Sequence, residues 1–193
     1  MNKLTNSFQP LVGKVAHTLI LGTMPGQTSL EHQQYYAHKR NAFWPIMLSF
    51  LYSVPPSYEH AASFCYADRC SQLLKGGYAL WDVLASCERP GSLDSSIVNN
   101  TATINDIASM ASKHPELRQI FCNGRTAEKL FKKHIQPSLQ ALNTPCDQLK
   151  PHTSTRTIRM TCLPSTSPAL ASLSLIQKFE IWSTELRRMT HDA

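Results

Sequence analysis

Between residues 35 and 44 the chain reads Tyr-Tyr-Ala-His-Lys-Arg-Asn-Ala-Phe-Trp, aromatic rings interleaved with His38, Lys39, Arg40 and the amide of Asn41. Aromatic rings stack on nucleobases for about 1–3 kcal/mol each, and Lys and Arg neutralise phosphates, so these residue types together suit a nucleic-acid ligand. Trp44 by itself reads as a core residue at a helix start. Upstream, Gly22-Thr23-Met24-Pro25-Gly26 is a stiff turn whose glycines let a backbone approach a ligand closely. It lacks the G-x-G-x-x-G spacing of a dinucleotide site and the Lys of a P-loop, which sets both nucleotide readings aside.

Asn123 follows the apolar run Ile120-Phe121-Cys122. A side-chain amide presents a donor and an acceptor side by side. Uracil offers N3–H beside O4 and hypoxanthine offers N1–H beside O6, so one Asn satisfies either base, flipping to suit. An Asn-Gly turn after a strand explains the same string without any ligand. Leu163-Pro-Ser165-Thr166-Ser167-Pro168 is rich in hydroxyls and stiffened by proline. Such loops contact phosphates or wedge into a base stack, although the composition alone is only that of a loop. Arg89 is a candidate phosphate contact, and Asp82, in Trp81-Asp82-Val83-Leu84, is expected to cap a helix.

These residues need a frame. Apolar runs at Val15–Leu21, Tyr78–Leu84, Arg118–Cys122 and Thr157–Leu163 read as strands. Helical spacing covers Phe43–Leu51, Ile104–Lys113 with Thr103 as N-cap, Thr126–His134 and Ser174–Met189. Strands alternating with helices imply parallel βαβ units, hence an α/β fold: a three-layer α/β/α sandwich around a central, mostly parallel four-stranded sheet. All carboxyl ends of such a sheet point one way, so the loops at 22–26, 123–126 and 163–168 should meet at one edge, where open α/β sheets bind ligands. The stretch 144–157 reads as a hairpin or surface loop.

With 193 residues, 42 % hydrophobic and 17 % charged, the composition suits one globular domain over 1–193. A net charge of +6 suits a polyanionic partner. Six cysteines without a C-x-x-C pair, and no signal peptide, read as reduced thiols in a cytoplasmic protein, with Cys122 and Cys162 as small core residues. His60, Cys65 and Cys70 match no common zinc spacing, and no metal is expected. No apolar run approaches the ~20 residues that span a bilayer, so no membrane partner is expected either.

Taken in order, these strings resemble the uracil-DNA glycosylase superfamily, and within it the hypoxanthine-DNA (deoxyinosine) glycosylase branch. The resemblance rests on Leu21-Gly22-Thr23-Met24-Pro25-Gly26, Ser29-Leu30, Tyr35-Tyr36 and Arg40-Asn41-Ala42-Phe43-Trp44. It continues through Ala79–Leu84 with Arg89 and Gly91–Ser95, then Asn123, then Leu163–Ala169. It implies a DNA repair enzyme that flips out a deaminated base and hydrolyses its N-glycosidic bond, releasing hypoxanthine from deoxyinosine. The alternatives are a uracil or mismatch glycosylase, and an inactive DNA-binding module of the same fold. Carried onto this chain, Asn41 would position the water, with Thr23 or its backbone assisting. Gly22, Met24, Tyr36, Phe43 and Asn123 would hold the base, Phe43 by stacking and Asn123 by its edge. His38, Arg40, Arg89, Ser165, Thr166, Ser167 and Pro168 would hold the DNA. Two departures stand out: Thr23-Met24 replaces the acidic or amide residue of other branches, and Lys39 stands where Pro is expected. The cysteine pattern of the iron–sulfur branches is missing, so the resemblance implies no cluster and no cofactor, and a monomer acting on damaged DNA.

Overall fold

A computed structural model describes residues 4–143 and 157–191. In chain order the strands are β1 (Leu4–Asn6), β2 (Thr18–Gly22), β3 (Tyr78–Asp82), β4 (Leu84–Glu88), β5 (Thr103–Ile104), β6 (Gln119–Asn123) and β7 (Arg159–Leu163). The helices are α1 (Gln27–His32), α2 (Phe43–Tyr52), α3 (Tyr58–Ala62), α4 (Tyr66–Lys75), α5 (Ile107–Lys113), α6 (Arg125–His134), α7 (Gln136–Asn143) and α8 (Leu175–His191).

The main sheet has the order β3-β2-β6-β7 and every pairing in it is parallel. Its two central strands, Thr-Leu-Ile-Leu-Gly and Gln-Ile-Phe-Cys-Asn, are buried at all five positions. That follows from covering both faces, which lets a strand be apolar throughout instead of alternating. Alternate side chains nonetheless part company. Ile20, Leu80, Phe121 and Leu163 enter one core with Phe43, Ile46 and Met47 of α2 and Trp182 and Leu186 of α8. Leu19, Leu21, Ala79, Ile120 and Cys122 enter a second core with Ile107, Ala127, Phe131 and Leu139 of α5, α6 and α7. Two cores on two faces of one sheet make the three-layer sandwich expected from the sequence.

Several local expectations are corrected. The run Tyr78–Leu84 is interrupted at Val83, and β4 leaves the main sheet for a three-stranded antiparallel one, β1-β4-β5. Asp82 therefore ends a strand and caps no helix. Thr103 also lies in a strand, and the following helix is capped by Asp106, whose carboxylate accepts from Ser109 N–H at 2.9 Å. Helices α3 and α4, short and largely polar, were not foreseen. Within them Cys65 caps α4 and His60 packs edge-on against Tyr52 and Phe64. Cys162, on the edge strand β7, is half-buried, whereas Cys122 is fully buried. The expected hairpin at 144–157 falls almost wholly outside the described residues. Among the described residues no helix is long and apolar enough to cross a membrane.

Candidate active site

The carboxyl ends of β2, β3 and β6 and the loop after β7 enclose a cavity of about 410 Å³, within the ~300–1,000 Å³ of small-ligand clefts. Gly22, Thr23, Met24, Tyr36, His38, Asn41, Asp82, Asn123 and residues 165–168 all line it. Three loops far apart in sequence thus meet at one rim. Phe43, Arg40 and Arg89 are not part of its wall.

Phe43 is fully buried, and the Tyr36 ring lies over it with centroids 4.0 Å apart at 22°. The ring that faces the cavity is Tyr36, and Phe43 backs it from the core. Tyr36 holds φ +55°, a left-handed conformation that costs a non-glycine residue on the order of 1–3 kcal/mol. The stack on Phe43, worth about 0.5–1.5 kcal/mol, offsets part of that strain. Burial, and next the nearby Asp82, push the Tyr36 hydroxyl pKa well up, so it stays a neutral phenol.

Asn41 is placed at the entrance to α2. Its Oδ1 accepts from Phe43 N–H at 3.0 Å, and its own N–H donates to His38 carbonyl at 2.7 Å. A backbone N–H can only donate, so this bond decides which amide atom is the oxygen. One lone pair and two N–H donors remain. Thr23 is buried and its hydroxyl donates to Asp94 Oδ2 at 2.9 Å. That commits its proton to Asp94, whose carboxylate also lines the cavity.

Asn123 is braced by one residue. Thr166 N–H donates to its Oδ1, and its Nδ2 donates to Thr166 Oγ1, both at 2.9 Å. The expected free flip of this amide is therefore corrected, because the Thr166 N–H fixes its orientation. One lone pair and one N–H remain, and the amide reaches the Tyr36 hydroxyl, an interaction that lowers the phenol pKa against the larger effect of burial. Thr166, expected on phosphate, is fully buried and its carbonyl accepts from Ala42 N–H at 2.9 Å. Its loop is tied to α8 by Trp182 Nε1 on Pro164 carbonyl, 2.9 Å, and by Lys178 Nζ on Ser167 carbonyl, 3.1 Å. Burial pulls the Lys178 pKa down.

Arg89 is likewise corrected. Its side chain is 2 % exposed, and it donates to the carbonyls of Met24 and Pro25 and lies 3.8 Å from Asp94. It holds the Gly22–Gly26 turn in shape from behind, where no phosphate reaches. The rim carries other basic residues: His38 and exposed Arg125, the first residue of α6, line the cavity, and exposed Arg40 donates its N–H to His38 Nδ1. Arg125 was missed from sequence, although its place directly after Asn123-Gly124 was the signal.

Asp82 was also underestimated. It is 3 % exposed, at the end of β3, and its Oδ2 accepts from Ser7 Oγ at 2.9 Å. A Cβ built on Gly22 would overlap its Oδ1, and the Tyr36 hydroxyl lies 3.3 Å from the same point. Burial drives the Asp82 pKa up to about 7, against the lowering effects of the Ser7 bond and Arg89, while Asp94 adds to the rise.

The profile of the uracil DNA glycosylase superfamily matches residues 11–184. A Methanosarcina barkeri protein named hypoxanthine DNA glycosylase is 30 % identical over 135 residues, 70 % of this chain and 77 % of its own length. A Methanosarcina acetivorans protein of the same name is 31 % identical over 124 residues, 64 % of this chain and 73 % of its own. The fold also matches an NMR structure of a candidate uracil DNA glycosylase from Methanosarcina acetivorans, with TM-score 0.72 and 25 % identity, over 98 % of this chain and all of that one. The constellation of Gly22, Asn41, Asn123 and the 163–169 loop sits within the matched span, and the chain belongs to the uracil DNA glycosylase superfamily.

Proposed function

We propose that this chain, as a monomer and a single domain, hydrolyses the N-glycosidic bond of a deaminated base flipped out of DNA, and that the base is hypoxanthine. The observation that carries the reading is that Asn41 and Asn123, from distant segments, line one cavity whose remaining wall includes the Tyr36 ring. The names of the two Methanosarcina relatives support the choice of base.

Base flipping brings the nucleotide into such a pocket, and bond cleavage leaves an oxocarbenium-like sugar that a water must meet on the far face. Asn41 orients this water through its remaining lone pair and N–H groups. An amide takes no proton at neutral pH, so it acts by placement and not as a base. The lone pair of Asn123 and the N–H that it turns to the Tyr36 hydroxyl match the lactam edge of hypoxanthine once a base displaces that contact, and Tyr36 supplies the flat face. His38, Arg40 and Arg125 attract the phosphates on either side of the mouth. Ser165, Ser167 and Pro168 abut the flipped strand.

The test is alkaline strand cleavage after incubating purified protein with duplexes that carry one deoxyinosine or one deoxyuridine. Cleavage at inosine, faster than at uracil, is expected. Inosine left intact while uracil is released would replace hypoxanthine by uracil. Intact DNA of both kinds, bound equally by wild type and Asn41→Ala, would reduce the chain to a DNA-binding module.

A further inference from the structure

A purine leaves deoxyribose far more readily once its imidazole ring has taken a proton, and a pyrimidine has no nitrogen in the corresponding place. Resting on the hypoxanthine reading above, we propose that Asp82 is the general acid of purine release, delivering a proton from Oδ1 to N7 of the flipped base as the C1′–N9 bond breaks.

The sheet provides the distance. Asp82 and Gly22 are paired in register across β3 and β2, and Asn123 follows Cys122, the partner of Leu21, on β6. Asp82 and Asn123 thus stand on strands either side of β2, about 10 Å apart at two inter-strand spacings. Gly22 between them carries no side chain, and Asp82 Oδ1 and the Tyr36 hydroxyl converge above it. A two-ring base held by its lactam edge on Asn123 extends across this glycine floor towards Asp82. A one-ring base on the same amide stops short and offers a C–H there.

The chemistry balances without a further reagent. The electron pair of C1′–N9 passes into the purine, the Asp82 proton goes to N7, and neutral hypoxanthine departs, leaving a carboxylate. The water held by Asn41 adds to C1′, and the proton it sheds to solvent restores the acid. The carboxyl pKa of about 7 keeps much of the acid protonated at neutral pH. The groups facing Asp82 are Ser7 Oγ, the Tyr35 and Tyr36 hydroxyls, Arg89 and Asp94, with His38 and Arg125 at the cavity mouth.

Single-turnover release from a deoxyinosine duplex, followed against pH, tests the assignment. Asp82→Asn keeps the shape but has no transferable proton. It is expected to slow release about 100-fold or more with DNA affinity retained. The wild-type rate should fall as pH rises through about 7, and the variant should not show that fall. A second arm needs no variant: a duplex with 7-deaza-2′-deoxyinosine keeps the lactam edge but lacks N7, and wild type should bind it yet scarcely cleave it. Equal cleavage of inosine and its 7-deaza analogue overturns the proposal, as does an Asp82→Asn enzyme with the wild-type rate or pH profile. A wild type inert on deoxyinosine itself overturns the substrate reading and this proposal together, which separates the two failures.

Discussion

At the scale of single residues, the pocket relies on amides whose orientation the backbone has already decided. Asn41 is fixed by Phe43 N–H and Asn123 by Thr166 N–H, so neither side chain must choose a rotamer or a flip when a base arrives. Preorganised dipoles of this kind stabilise developing charge without reorganising. Because the Thr23 hydroxyl donates to Asp94, the proposed placement of the water rests on Asn41. Asn41→Ala should therefore lower single-turnover base release about 100-fold or more. The same change removes one backbone bond at the α2 entrance, worth about 0.5–1.5 kcal/mol. Urea unfolding should register that small loss while far-ultraviolet circular dichroism stays unchanged. Collapse of the fold, or full activity in the variant, would contradict the role given to this amide.

At the scale of elements, Thr166 ties the loop after β7 to two of them. Its N–H and hydroxyl hold the end of β6 through Asn123, and its carbonyl holds the entrance of α2 through Ala42 N–H. Thr166→Val preserves the volume and the two backbone bonds but strands Asn123 Nδ2, a buried donor. The expected cost is about 1–3 kcal/mol, read as a lowered urea midpoint, together with slower release of the base. Gly22 is the corresponding pivot of β2: its φ is unremarkable, but Gly22→Ala drives a methyl into Asp82 Oδ1. Asp82 is held by Ser7 and cannot withdraw freely, so that variant should lose base release even where it still folds. What the sequence made legible divides along the same line. Short apolar runs such as Ile120-Phe121-Cys122 announced the central strands, and the loops at their ends followed from the parallel topology. The second sheet was hidden because β4 begins a single residue after β3, with no turn signal between them. The roles of Asp82, Arg89 and Thr166 were hidden for a different reason. Each depends on a partner far along the chain, Ser7 for Asp82, Met24 for Arg89 and Asn123 for Thr166, which composition and spacing do not reveal. Tyr36 and Phe43 were both visible as aromatics, but which one faces the cavity is decided by the left-handed backbone at Tyr36.

At the scale of the whole molecule, keeping a carboxyl inside the fold links stability to pH. An unfolded Asp82 would ionise near its ordinary value of 3.8, whereas in the folded protein burial holds the pKa at about 7. Between those values the folded state keeps a proton that the unfolded state has released. Linkage then makes unfolding easier as pH rises. The contribution is intact below about pH 4 and has been lost once pH passes about 7. Asp94, raised by burial in the same way, acts with the same sign, while Glu59 and Glu128, lowered by hydrogen bonds, oppose it only at acid pH, below their ordinary value of 4.5. The net slope of the wild type alone would therefore mix several groups, and so would the changing repulsion of a chain with net charge +6. Subtracting Asp82→Asn from wild type cancels what they share. Unfolding free energies from urea titrations at pH 5.5 and pH 8 should show the wild type losing more stability over that interval than the variant, so the amide gains relative standing as the solution becomes alkaline. A difference between the two proteins that stays constant across the interval would mean that Asp82 is ionised throughout, and a carboxylate there could donate nothing to a purine.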